Sequence, residues 1–137
     1  MGDNAKMITV DTHIIIWDAL KPELLSEKAK SELERANQTD GIIFCDISLW
    51  EIAMLIKKKR IEIDVPYLEF IDLVKASNNY IFQEITPEIA ELSANLPLDI
   101  NSDPADRLIS ATSLIFNTTL ITADKNLRKS KELRTIW

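Results

Sequence analysis

The chain has 137 residues, 46% of them hydrophobic and 28% charged, with one cysteine and a net charge of −6. That size and composition fit one globular domain with its own core, and they exclude a disordered chain, an internal disulfide framework and a basic protein that blankets phosphates. No apolar stretch approaches the ~20 residues that cross a bilayer, so no membrane is expected, and the lone thiol fits a reducing, cytoplasmic setting.

Residues 1–6 are polar and lack the apolar core of a secretion signal. They read as a disordered or cloning-derived tail ahead of a domain spanning 7–137. Met7–Val10 is a short β-branched run and predicts a strand. Thr12–Leu20 and Ser26–Asn37 predict helices, with Ser26 as an N-cap. Asp40-Gly41 reads as a turn into a second strand, Ile42–Phe44, and Cys45 behind it as a small buried hydrophobe. A helix is expected from Ser48 to about Lys59. Another runs from Tyr67 to about Ser77, with Leu68, Ile71, Leu73 and Val74 as its apolar stripe. Ile81–Ile85 predicts a third strand. Thr86-Pro87 and Asp103-Pro104 each place a capping side chain before a proline, the pattern of a helix start. Helices are therefore expected over Pro87–Asn95 and from Pro104 to about Phe116, the latter turning Leu108, Ile109, Thr112 and Ile115 inward. Thr119–Thr122 predicts a fourth strand, Asp124–Lys129 a short helix and Arg134–Trp137 a fifth, edge strand. Trp17 and Trp50 lie on apolar stretches and read as core; His13, the only histidine, reads as structural.

Short apolar strands alternating with helices predict an α/β domain, a mostly parallel central sheet with helices on both faces. In open sheets of this kind ligands sit beyond the carboxyl ends of the strands, where strand order reverses. Acids just after strands are therefore the residues to weigh. Asp11 directly follows the first strand, and Asp124 follows the fourth; each would serve equally as the cap of the next helix. Glu51 is the only charge in Ile47–Ile56, and the residues three and four positions away are Ile47, Ser48, Met54 and Leu55. None is a cation, so no intrahelical ion pair is available. Ser48 and Glu51 also match a Ser-x-x-Glu capping box, but a lone carboxylate among apolar neighbours is costly without a compensating partner, which favours a functional acid. Asp103 is most simply the cap before Pro104. Asp106, in the first helical turn, is the better site candidate.

A ring of carboxylates is what a hard cation such as Mg²⁺ or Mn²⁺ requires. Packed carboxylates repel, and a cation relieves that repulsion. Such a metal lowers the pKa of a water and stabilises charge on phosphoryl oxygens, the chemistry of phosphodiester hydrolysis.

Four segments carry a family resemblance: Asp11-Thr12-His13 with Trp17 behind it, Ser48-Leu49-Trp50-Glu51-Ile52-Ala53, Asp103-Pro104-Ala105-Asp106-Arg107-Leu108-Ile109, and Leu120-Ile121-Thr122-Ala123-Asp124. In this order they resemble the signature segments of PIN domains, more narrowly of VapC-type toxins, from Met7 to about Leu127. The resemblance implies a three-layer α/β sandwich and a Mg²⁺- or Mn²⁺-dependent endoribonuclease. It carries the four acids onto Asp11, Glu51, Asp106 and Asp124, both as catalytic residues and as metal ligands, with Asp11 and Asp106 as the main ones. Asp103, Thr122 and Ser48 take supporting places. It also implies an RNA substrate, a cognate antitoxin and a homodimer. Two departures stand out. Ile100 and Asn101 occupy the region where relatives often carry a histidine, and Lys57-Lys58-Lys59-Arg60 stands where many have a glycine. Among the basic residues, Lys57, Lys58 and Arg60, and then Lys125 and Arg128 just after Asp124, are the candidates for RNA contact. The competing readings are a catalytically inactive PIN-like module that binds RNA or protein, and a signalling domain phosphorylated on Asp11. The intact set of acids argues against the first, and Glu51 is left without a role in the second.

Overall fold

The computed structural model describes residues 7–97 and 99–137. The proposed tail, 1–6, lies outside them. In chain order the elements are β1 (Ile8–Val10), α1 (Thr12–Leu20), a single 3₁₀ turn (Pro22–Leu24), α2 (Glu27–Asn37), β2 (Ile42–Cys45), α3 (Ile47–Lys57), α4 (Tyr67–Ser77), β3 (Tyr80–Gln83), α5 (Pro87–Asn95), α6 (Pro104–Ile115), β4 (Thr119–Ile121), α7 (Lys125–Lys129) and β5 (Thr135–Ile136). Every expected element is present, with ends displaced by a residue or two. The proline-initiated 3₁₀ turn is the one unforeseen piece.

All strand pairs are parallel, in the order β3-β2-β1-β4-β5. Alternation along each strand divides the core. Ile8, Val10, Ile42, Phe44 and Ile121 face one way and pack with α1, α2, Ile52 of α3 and the Phe70-Ile71-Val74 side of α4. Ile43, Cys45 and Leu120 face the other way, against Ile89 of α5, Ile109 and Ala111 of α6 and Leu127 of α7. The result is three layers with a sheet buried on both sides, which is why the strands read as continuous apolar runs. Cys45 is buried as expected, and burial pushes its thiol up to about 12.

Gly41 closes the turn from α2 into β2 with φ of +99°, and a Cβ there would sit 2.9 Å from Ile81 Cδ1 and 3.0 Å from the Asn79 carbonyl. Only glycine meets both demands. At the end of α3 the left-handed residue is instead Lys59, φ +59°, with the Arg60 N–H returning to the Leu55 carbonyl at 2.9 Å. The expected helix thus stops at Lys57, in a C-terminal motif that usually employs glycine.

Three apolar expectations are corrected. Leu68 and Leu73 are exposed, and α4 instead buries Phe70, Ile71 and Val74. On α6 Ile115 is exposed and Leu108 only half-buried, because Ala105, Ser110, Ala111 and Ser113 form the close-packed inner face. Trp50 is 59% exposed rather than core. In each case small or neighbouring side chains fit the interlayer space better than the residues chosen on spacing alone. Among the described residues no helix is long and apolar enough to cross a membrane.

Candidate active-site cleft

The chain order leaves β1 in the centre, with β2 and β3 on one side and β4 and β5 on the other. The connections diverge between β1 and β4, which opens a cleft beyond their carboxyl ends. Its volume is about 320 Å³, and Asp11, Glu51, Asp103, Asp106 and Asp124 line it with Thr12, His13 and Trp17. The four predicted acids therefore come together, joined by Asp103. Lys57, Lys58 and Arg60 do not line it: α3 brings Glu51, one turn into the helix, to the cleft, while its basic end lies outside the lining.

Each carboxyl is held by a specific donor. Asp11 is both cap and site residue. One oxygen accepts the Ile14 N–H at 3.2 Å and the other accepts the Thr122 hydroxyl. Asp124 likewise caps α7, accepting from Asn126 N at 2.8 Å and Leu127 N at 3.0 Å through one oxygen, while the other faces the cleft and accepts from Asn101. Asp103 caps α6 through Ala105 N at 3.2 Å. For these strand-end acids the choice between cap and site was a false one, since a carboxylate has an oxygen for each. Glu51 is different. α3 begins at Ile47 with Asp46 in the capping position, so Ser48 lies inside the helix and the capping box does not form. Ser48 instead meets the Thr12 hydroxyl at 2.8 Å, and Thr12 donates to Glu51.

Asn101 went unrecognised as a site residue. Its Nδ2 donates to Asp106 Oδ2 and Asp124 Oδ2, both at 3.0 Å, and its Oδ1 accepts from Asn126 Nδ2 at 3.1 Å. One amide thus bridges two acids from different elements. Behind it, the Arg107 guanidinium donates to the carbonyls of Ser93, Leu96, Pro97, Ile100 and Asn101 at 2.6–3.3 Å, fixing the segment that presents Asn101. A single amide in a loop has no periodic signal; its place just ahead of a capped helix was the only hint. His13 is also relocated. It is exposed on the cleft wall, its ring 5.8 Å from that of Trp17, rather than structural.

Burial raises the Asp11 carboxyl above its usual range, against the lowering effect of the Thr122 hydrogen bond. Glu51 is raised by burial, aided by the charges of Asp103 and Asp11. Asp106 is pushed to about 7, first by burial and then by the charges of Asp103, Glu51 and Asp124. Acids crowded in this way lack positive charge. Among the described residues no Lys or Arg lines the cleft, and all of its ionisable groups but His13 offer oxygen, a donor set suited to a hard divalent cation. Among the described residues no three His, Cys, Asp or Glu stand together as a formed metal cage; hydrogen bonds from Thr122, Thr12 and Asn101 hold the acids around the cleft.

The PIN domain family model matches residues 8–133. The chain belongs to the PIN domain family. It is 32% identical over 132 residues to Ribonuclease VapC22 of Mycobacterium tuberculosis, covering 95% of this chain and 98% of the relative. Among solved structures, VapBC2 from Rickettsia felis bound to a DNA fragment from their promoter aligns with a TM-score of 0.72 at 15% identity, over 95% of this chain and 97% of that one. A toxin–antitoxin complex from Klebsiella pneumoniae aligns with a TM-score of 0.63 at 22% identity, over 95% and 96%. At those identities the likeness is one of fold. This PIN domain thus has the α/β architecture expected from its strand and helix pattern.

Proposed function

We propose that this PIN domain is a divalent-cation-dependent endoribonuclease, the VapC-type toxin of a toxin–antitoxin pair. The observation that carries the reading is the meeting of Asp11, Glu51, Asp106 and Asp124 in one cleft that no Lys or Arg among the described residues lines, in a chain 32% identical to a named ribonuclease. Asp11 and Asp106 are the main candidates to hold the cation, with Glu51 and Asp124 completing the set. Bound there, Mg²⁺ or Mn²⁺ supplies a water of lowered pKa and positive charge for the phosphoryl oxygens.

The chain's own part is orientation and proton transfer. Thr122 and the Ile14 N–H fix Asp11, and Asn101 fixes Asp106 and Asp124. Thr12, braced by Ser48, aims Glu51 into the cleft. The cleft carboxylate oxygens not taken up by the cation would orient an attacking water and accept its proton. Lys125 and Arg128 follow Asp124 directly and supply positive charge for RNA outside the cleft.

An antitoxin is the expected partner, and the exposed Trp50 and Leu68, beside the bond from Tyr67 to the Leu49 carbonyl, offer it apolar surface. A homodimer and a cytoplasmic location belong to the same reading. The test is incubation of antitoxin-free protein with cellular RNA, with and without Mg²⁺ or Mn²⁺, beside Asp11→Ala and Asp106→Ala. Discrete metal-dependent fragments that vanish in both variants are expected. No cleavage by folded protein with either metal would leave a binding module.

A further inference from the structure

All five strands are parallel, so the residues following them line one edge of the sheet. Along that edge charge changes sign. Glu84 and Asp46 follow β3 and β2, Asp11 and Asp124 follow β1 and β4, and beyond lies a crevice of about 570 Å³ lined by Lys28, Lys125, Arg128, Lys129 and Trp137, among others. Among the described residues no carboxylate side chain lines it. The ion pairs among the described residues engage Lys30 and Arg35, so these four cations have no acidic partner. In a chain of net charge −6 such a concentration calls for an anion. The crevice adjoins the cleft in sequence, Lys125 following Asp124, and in space, since the Trp17 ring on the cleft wall packs 5.8 Å from that of Trp137. His13, 5.8 Å from Trp17, extends this aromatic row into the cleft.

The geometry points to a phosphate-binding subsite for single-stranded RNA, with the strand entering the carboxylate cleft from the β5 side and its bases over the Trp17–Trp137 shelf. This rests on the ribonuclease reading and gives it a direction. The opposite approach passes Asp46 and Glu84, which repel a polyanion. Unpaired bases can stack on such rings; those within a duplex cannot. Lys28 is the informative residue, because it comes from α2 and is remote in sequence from every acid of the cleft.

Binding is separated from cleavage by a fluorescent oligoribonucleotide of about ten unpaired nucleotides, a length within the usual single-strand site size, titrated by anisotropy over a range of salt in chelator, which removes the cation that cleavage requires. Lys28→Ala and Arg128→Ala are each expected to weaken binding and to lower the slope of log affinity on log salt by about 0.7, the loss of one phosphate contact on a single strand. Trp137→Ala should weaken binding while leaving the slope in place. Lys57→Ala, at the far end of α3, should change neither. Wild-type slopes in Lys28→Ala and Arg128→Ala would overturn the subsite even if the protein cleaves RNA, and binding with these effects but no cleavage would retain the subsite and defeat the nuclease. Tighter binding of a duplex would overturn the single-strand assignment. Equally tight binding of a poly-glutamate peptide would assign the crevice to an acidic protein segment.

Discussion

The two sides of the sheet's carboxyl edge begin from the same local pattern. After β2 and β3 stand Asp46 and Glu84, and after β1 and β4 stand Asp11 and Asp124. Asp46 is even raised above its usual range by slight burial and by the charge of Glu84. Yet Asp46 makes no capping bond, and neither acid lines the cleft. Asp11 and Asp124 sit where the connections diverge, and there Thr122 and Asn101 reach them from neighbouring segments. A strand-end acid becomes part of a site only at the switch point, where the chain leaves a crevice and two layers can supply donors.

The comparison breaks most sharply on activity. Asp11→Ala or Asp106→Ala is expected to reduce metal-dependent RNA cleavage by about 10³-fold or more, the several kcal/mol supplied by a metal-held site. Asp46→Ala and Glu84→Ala should leave the rate within about twofold; a comparable loss there would erase the distinction. Next come the donors. Asn101→Ala and Thr122→Val are expected to cost about 10–100-fold in metal affinity and in cleavage, the usual cost of removing a partner that orients a ligand. Isothermal titration with Mn²⁺ reads the first directly.

A smaller effect sharpens the contrast through pH. Asp106 titrates near 7 in the folded chain against an ordinary 3.8, so the native state keeps a proton that the unfolded chain has lost. The stability from that proton is complete below 3.8 and is lost as pH rises through about 7. Asp106→Asn should therefore raise the metal-free Tm at about pH 8 and converge with wild type in acid. Added Mg²⁺ should raise the wild-type Tm at the higher pH and the variant's less, as calorimetry would show. The least effect lies far from either set of acids. Lys59→Gly relieves a left-handed lysine at the end of α3 and should stabilise by about 1 kcal/mol in urea unfolding, with cleavage unchanged.

Much of the site was legible because Asp11 and Asp124 each follow a short apolar strand and precede a helix, and that local grammar survives folding. Glu51 was legible for a different reason, a lone charge among apolar residues; its helix proved only half-buried, with Trp50 open to solvent. Asn101 and Arg107 were not legible as a unit. The amide acquires its role only when the segment before α6, stapled by the guanidinium, comes to lie between Asp106 and Asp124. The basic residues were visible as runs, but charge in a sequence has no direction: Lys57–Arg60 is carried away from the cleft by its own helix, while Lys28 arrives from α2 unannounced.

The sequence by itself determined the alternation of strands and helices, the parallel sheet it requires and the acids at the strand ends, because period, capping and β-branching act over a few neighbours. The tertiary structure decided which of those acids share a cleft, which apolar residues on α4 and α6 are inside, and on which side the positive charge gathers. Those depend on strand order and on which small side chains let layers approach, contacts between residues as far apart as Asp11 and Thr122, and no local pattern encodes them.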